Sequence, residues 1–175
     1  MADGRPSPGR VELVAVDDDV LDQLVAVAVA DAAAAEVTPP LTPGPAWTAE
    51  RVDWLREFHR DRRSGLDGPR REATWAVVVD GAVAGAVRLR RTAEPGVADT
   101  GVWLARSTRG RGLAAPALAA VVATGRSLGL TELRAATTSG NVPALAVLRT
   151  AGFDVAEPDP EGRVAAHLGL GVHQD

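Results

Sequence analysis

The chain has 175 residues, the length of one ordinary domain, and its 46% hydrophobic and 24% charged residues are typical of a globular protein. It contains no cysteine, which excludes disulfides, thiolate metal sites and a cysteine nucleophile, and which fits a cytoplasmic protein. All 19 basic residues are arginine and tyrosine is absent, so neither lysine nor tyrosine can act in catalysis. The net charge of -4 argues against nucleic-acid binding through a general basic field.

Regular elements follow one another without an internal repeat or an interdomain linker. Residues 1–10 are polar and rich in Gly and Pro, and we expect a disordered lead without the apolar stretch of a signal peptide, followed by one domain at 11–175. The longest apolar run, at 24–35, contains Asp31 and is too short to span a bilayer, so no membrane partner is expected.

Periodicity and turn residues predict the following elements in chain order. They are a strand at 11–16, a helix at 18–35, a helix from Thr48 to about Ser64, strands at 74–79, 82–89 and 97–104, a helix at 112–128, a strand at 133–137, a helix at 142–151, and strands at 153–156 and 164–170. The order β-α-α-β-β-β-α-β-α-β-β predicts an α/β protein with about seven strands and about four helices.

A glycine-containing turn connects the strand at 97–104 to the next helix. It reads Arg109-Gly110-Arg111-Gly112-Leu113-Ala114. The first amides of a helix have no intrahelical acceptor, and the helix dipole adds positive charge there, so this turn suits a phosphate or pyrophosphate. Glycines let the backbone approach the ligand, and the two arginines can add charge-assisted hydrogen bonds.

The same glycine turn is compatible with other roles. Taken alone, it is better explained as a tight surface turn with two solvated arginines. A dinucleotide-binding fingerprint has the glycine spacing with Ala115 in the third position, but the acidic ribose contact expected about 20 residues on is missing until Glu132. A P-loop is excluded because it needs a lysine.

Three segments in order resemble the GNAT superfamily of acetyltransferases. The turn matches the family pattern (R/Q)-x-x-G-x-(G/A), and residues 100–104 resemble the strand before it. Downstream, Asn141-x-x-Ala144 and the run Val147-Leu148-Arg149-Thr150-Ala151-Gly152-Phe153 resemble the second cofactor segment. The ending is similar to the branch that acetylates protein N-termini, including ribosomal proteins, although that branch also contains small-molecule enzymes.

The resemblance implies a mixed, mostly antiparallel sheet in which the strands at 97–104 and 133–137 are parallel and splay apart. The donor would be acetyl-CoA, without a metal, and its pantetheine arm would enter the gap. Backbone groups of Val102, Trp103 and Leu104 would bind the arm and polarise the thioester carbonyl. Asn141 would contact the cofactor or cap the following helix.

The resemblance also implies direct attack of an amine on the thioester, which needs a proton acceptor. Asp99 is the first candidate, and Glu72 and Glu94 are weaker ones. The alternative for Asp99 is a solvated carboxylate at a strand entry or turn. Leu148 occupies the position where many relatives carry a tyrosine that protonates the thiolate. Water, or a hydroxyl such as that of Ser139, Thr137 or Thr138, would replace it.

The acceptor side is less defined by the sequence. Trp47 follows a proline-rich loop at 38–45 and could line an acceptor groove or cover the core, and His167 on the last hairpin is a second candidate. We expect an amine acceptor, either a protein N-terminus or a small molecule, and a homodimer is compatible with the sequence. Two other functions remain open: a non-catalytic acyl-CoA-binding module and an unrelated nucleotide-binding protein.

Overall fold

The computed structural model describes residues 9–171, and its strands form one seven-stranded sheet. Their bounds are Val11–Ala15 (β1), Glu72–Val79 (β2), Ala82–Arg91 (β3), Val97–Leu104 (β4), Glu132–Thr138 (β5), Asp154–Val155 (β6) and Arg163–Gly169 (β7). The strand order is β1-β2-β3-β4-β5-β7-β6, and every pair is antiparallel except β4–β5. The predicted mixed, mostly antiparallel sheet is confirmed.

Residues 9–171 contain five α-helices, one more than expected. They are Asp18–Asp31 (α1), Ala34–Val37 (α2), Ala49–Arg60 (α3), Ala114–Ser127 (α4) and Val142–Thr150 (α5), with a 3₁₀ turn at Arg106–Thr108. Two helices begin at side-chain caps: the Asp17 carboxylate accepts from the Val20 amide at 2.8 Å, and the Thr48 hydroxyl accepts from the Arg51 amide at 3.3 Å. No helix in this part of the chain is long and apolar enough to cross a bilayer.

The first helix is shorter than the sequence predicts, because it ends at Asp31 rather than at residue 35 and the chain then turns into α2. The alanine run favours helix, so the break comes from tertiary contacts. Ala32 is extended, with φ -140° and ψ 150°, and its carbonyl accepts a hydrogen bond from the Trp47 indole at 2.9 Å. The Asp31 carboxylate accepts from the amide and hydroxyl of Ser107, which precedes the glycine turn.

The parallel strands pair only at their beginnings. Val97–Asp99 of β4 lies beside Glu132–Arg134 of β5, and the pairing then stops although both strands continue. Beyond this point each strand is hydrogen-bonded only to its other neighbour, β3 or β7. The predicted splayed pair is therefore confirmed, and it opens a gap in the middle of the sheet.

Helices cover the two faces of the sheet unequally. On one face α4 and α5 pack on the sheet through a large core with members such as Val77, Leu89, Leu113, Val121, Leu133 and Ala166. On the other face α1 and α3 pack on β2 and β3, through Leu21, Leu24, Leu55, Ala76 and Ala86. This second core has no member from β5, β6 or β7, so that end of the face is open.

The predicted lead at residues 1–10 lies outside the described residues apart from Gly9 and Arg10. The Arg10 amide donates to Asp80 Oδ1 at 2.9 Å, and the Asp80 amide donates to the Arg10 carbonyl at 3.0 Å. Arg10 is thereby attached to the turn between β2 and β3.

Candidate active site

The glycine turn presents an uninterrupted series of amides. Gly110 and Gly112 both have φ near +72°, a conformation that favours glycine, and the turn leads directly into α4 at Ala114. Within residues 9–171, no acceptor is found for any of the amides from Gly110 to Ala115, and no side chain caps the helix. Pro116 lies in the first turn of α4 and has no amide to satisfy.

Arginines surround these amides. Arg109 donates to the Glu36 carboxylate at 2.8 Å and to the Leu104 carbonyl at 3.3 Å. The hydrogen bond from Arg109 lowers the pKa of the Glu36 carboxyl. Arg106 and Arg111 are exposed and form no ion pair with any carboxylate of the described chain. The turn therefore combines free amides with positive charge, the chemistry that a diphosphate requires.

The backbone of β4 supplies further free groups at the gap. Hydrogen bonds between the Thr92 amide and the Val97 carbonyl, and between the Ala105 amide and the Ala84 carbonyl, fix the alternation of the β3–β4 ladder. This alternation directs the amide and carbonyl of residue 102 and the amide of residue 104 into the gap, beyond the last β4–β5 pair. An extended ligand with amide groups can hydrogen-bond along this edge, as the pantetheine arm of coenzyme A would.

The same alternation corrects the expectation for Trp103. Its register partner is Ala86 of β3, so the Trp103 amide points to β3 and not into the gap. The Trp103 side chain packs against the core under α1 and α3. Of the strand residues predicted to bind the cofactor through their backbone, Val102 and Leu104 are placed to do so.

A cavity of about 750 Å³ lies on the open face at the start of the gap. Asp99 and His167 both line it, together with three arginines at positions 88, 90 and 134. The Asp99 carboxylate accepts a hydrogen bond from Arg90 at 3.1 Å, and the His167 Nε2 lies 3.7 Å from Asp154. The structure thus brings the predicted base and one predicted acceptor residue into a single cavity.

Arginines that the sequence interpretation did not single out form ion pairs around this cavity. Glu72 is only 5% exposed and accepts from Arg62 at 2.7 Å and from Arg88 at 3.4 Å. Arg134 donates to both oxygens of Glu94 at 2.8 and 2.6 Å, and this lowers the pKa of Glu94. A signal was available, since arginines at 88 and 90 alternate with a buried leucine along a strand.

The remaining predicted residues lie elsewhere. Trp47 is not among the residues lining this cavity; its ring packs against the second core, which corresponds to the covering alternative. Ser139 is exposed just after β5, with its amide donating to the Gly162 carbonyl at 2.9 Å. The Asn141 side chain caps α5 by accepting from the amide of residue 144 at 3.3 Å. Leu148 is buried in the large core.

Glu72 and Glu94, the two weaker candidates for the base, both form ion pairs with arginines. Glu72 is buried between Arg62 and Arg88, and Glu94 is held by two nitrogens of the arginine at position 134. Asp99 remains one-third exposed in the cavity, and its one ion-pair partner in the described part of the chain is the arginine at position 90. Among residues 9–171 there is no group of three or more His, Asp or Glu side chains that could hold a metal ion.

His59 is a buried residue in the last turn of α3. It is 2% exposed, and its Nδ1 lies 2.9 Å from the Thr74 hydroxyl. Burial, reinforced by the charges of Arg62 and Arg63, lowers the pKa of His59 to about 4. The imidazole is therefore neutral near pH 7.

Comparison with known proteins agrees with this geometry. The model of the acetyltransferase (GNAT) domain matches residues 10–154. The GNAT domain of S. lividans PAT is 20% identical, with a TM-score of 0.67 over 92% of this chain and 90% of that one. RimL, a ribosomal L7/L12 alpha-N-protein acetyltransferase solved with coenzyme A, is 17% identical, with a TM-score of 0.69 over 93% and 95%.

A third similar structure is the dodecameric spermidine N-acetyltransferase from Vibrio cholerae. It is 14% identical, with a TM-score of 0.68 over 91% of this chain and 94% of that one. No curated protein sequence matches the chain at a significant level. At these identities the solved structures establish the fold, whereas the domain match covers most of the chain. The chain belongs to the GNAT family of acetyltransferases, and it is an N-acetyltransferase that uses acetyl-CoA.

Proposed function

We propose that this chain acetylates a primary amine by direct attack of the amine on the thioester, with Asp99 accepting the amine proton. The single observation that carries the proposal is the series of free amides from Gly110 to Ala115, in the turn that follows β4, the strand that also contributes Asp99 to the cavity. The amides bind the donor and the cavity receives the acceptor. The two reactants approach the splayed β4–β5 pair from opposite sides.

The donor supplies an acetyl thioester, and the chain supplies positions for both reactants. The amides of the turn, with Arg109 and Arg111, hold the diphosphate. The backbone of Val102 and the amide of Leu104 align the arm along β4, and the Val102 amide is the donor for the thioester carbonyl oxygen. Asp99, at the closed end of the gap, takes the proton directly or through one water molecule.

The departing thiolate of coenzyme A needs little acid catalysis from this chain. Leu148 is buried where relatives carry a tyrosine, and the chain contains no tyrosine. Ser139 is exposed near the N-terminus of α5 and is a hydroxyl that could donate a proton, and water is the other source. Asn141, beyond capping α5, is proposed as a cofactor contact because it is exposed at the start of a helix that packs beside α4.

The proposal is tested by titration calorimetry with coenzyme A and by thiol release from acetyl-CoA in the presence of amines. The acceptor panel contains free amino acids, N-terminal peptides, aminoglycosides and spermidine, because two structural neighbours acetylate a protein N-terminus and a polyamine. We expect binding of coenzyme A and thiol release with at least one class of amine. Binding without release for any amine would favour the acyl-CoA-binding module, and absence of binding would overturn the cofactor assignment.

The remaining expectations belong to the same proposal. The acceptor is the partner, neither nucleic acid nor a membrane takes part, and the protein is cytoplasmic. A homodimer is compatible with this arrangement, and sedimentation of the full chain would determine the oligomeric state.

A further inference from the structure

We infer that Arg88 selects acceptors that carry a carboxylate near the reacting amine. This inference rests on the proposed function and names the substrate class of the same site. The acceptor would be an amino acid or a peptide with an acidic residue near its N-terminus, and not a polyamine.

The first observation is the position of the Arg88 side chain. Arg88 stands opposite Gly101 of β4, and a Cβ built on Gly101 would lie 2.9 Å from Arg88 Nε. The guanidinium therefore crosses β4 where that strand has no side chain. It lies next to Val102, whose backbone faces the gap, so a group bound by Arg88 stands beside the place of the thioester.

The second observation is the charge around Arg88. Its one carboxylate neighbour among residues 9–171 is Glu72, at 3.4 Å, and Glu72 already accepts from Arg62 at 2.7 Å. The single negative charge of Glu72 therefore pairs with two guanidinium groups. Together, Arg62, Glu72 and Arg88 retain one positive charge. Arg88 is 34% exposed and lines the cavity, so its remaining N–H groups can reach a ligand.

The other guanidinium groups of the cavity differ from Arg88. The arginine at position 90 has its own partner, Asp99, and Arg134 is shared by two carboxylates, Glu94 and Glu132. The excess positive charge is therefore located at Arg88, and the excess negative charge is located around Arg134. A ligand with a carboxylate and an amine matches this arrangement, because the carboxylate pairs with Arg88 and the amine approaches Asp99.

Geometry supports the pairing. Asp99 and Gly101 are two residues apart on one strand, so their side-chain positions share a face and are separated by about 7 Å. A short molecule that carries both an amine and a carboxylate can span that distance. A polyamine would bring a second positive charge against Arg88, and like charges in a partly enclosed site are unfavourable.

The test compares acceptors that differ only in one carboxylate. The pairs are alanine with alaninamide, and an N-terminal Ala-Glu peptide with its Ala-Gln counterpart, with spermidine as the cationic amine. We expect the acidic member of at least one pair to have a kcat/KM about tenfold higher, mainly through a lower KM. If the alanine pair shows the preference, the acceptor is a free amino acid; if the peptide pair shows it, the acceptor is a peptide.

Variants assign the effect to the guanidinium. Arg88→Gln should remove the preference while leaving the affinity for coenzyme A unchanged, and Arg88→Lys should retain part of it. Arg91→Gln is the matched control on the same strand, because Arg91 pairs with Asp67 outside the cavity and should keep the preference. Calorimetry of the acidic acceptor in the presence of coenzyme A gives a second readout without turnover.

The outcomes separate the two proposals. Equal or better use of the amides or of spermidine, with thiol released, overturns the role of Arg88 and leaves the acetyltransferase intact. A preference that persists in a folded Arg88→Gln protein also overturns it. Binding of coenzyme A without thiol release for any amine overturns both.

Discussion

The two sides of the cleft are built by different means. The cofactor side consists mainly of backbone: amides of one glycine turn and one strand edge, all between residues 102 and 115. The acceptor side consists of side chains contributed by β2, β3, β4, β5 and β7, with Arg62 from the segment that follows α3. A backbone site depends on conformation, whereas a side-chain site depends on charge and packing, and substitutions should affect the two sides in distinguishable ways.

The largest expected effect is on the backbone side. Gly112→Glu places a side chain and a negative charge at a position with φ near +72° in front of the free amides, and we expect binding of coenzyme A to be lost in calorimetry. Gly129→Glu is a matched control, because Gly129 has the same φ, equally open surroundings and an exposed position beyond the far end of α4. Unchanged affinity in Gly112→Glu would remove the cofactor assignment.

The next effect concerns the chemistry on the acceptor side. Asp99→Asn keeps the shape of the side chain but removes the proton acceptor, so kcat should fall by about 100-fold while the Kd for coenzyme A changes little. Glu94→Gln is the control, since Glu94 is held by Arg134 and its replacement should reduce the rate far less. A near-normal kcat in Asp99→Asn at saturating amine would exclude Asp99 as the base.

A third prediction concerns the free energy of unfolding and its dependence on the buried residue His59. Because the pKa of His59 is about 4 in the folded chain and about 6.5 when unfolded, the unfolded state binds the extra proton between these values. Stability should therefore fall by about 3 kcal/mol as the pH decreases from 6.5 to 4. Urea unfolding across this range should show a smaller decrease in His59→Gln. Parallel pH dependences in the two proteins would show that His59 does not cause the loss.

The smallest expected effect concerns Glu36, a side chain on the cofactor side of the cleft, which otherwise consists mainly of backbone groups. Glu36 holds Arg109 at 2.8 Å, and a bound diphosphate would compete for the same guanidinium. Glu36→Gln should therefore tighten binding of coenzyme A by about threefold, as expected for an exposed ion pair. Glu57→Gln, at an exposed position on α3, is the control. Weaker binding in Glu36→Gln would mean that the carboxylate positions Arg109 productively.

Much of the fold and of the cofactor side could be predicted from the sequence. The starts of α1 and α3 lie where the sequence predicts them, because each is fixed by a capping side chain, Asp17 or Thr48, that acts on neighbouring residues. The break after α1 is not predicted, because it depends on Trp47 and Ser107, which are distant in the chain. The prediction that the Trp103 amide faces the gap is wrong, because the hydrogen-bonding phase of β4 is set by its register with β3, which a single strand does not reveal.

The family, the order of elements and the glycine turn are readable from the order of residues, because each of them is encoded in residues that are adjacent in the chain. The arrangement of charges in and around the acceptor cavity is a product of folding. Arg62, Glu72, Arg88 and Arg134 come from separate segments of the chain, and their mutual distances follow from sheet register and helix packing. Electrostatic balance in a cleft depends on those distances, so the excess charge at Arg88 emerges only when the strands and helices are assembled.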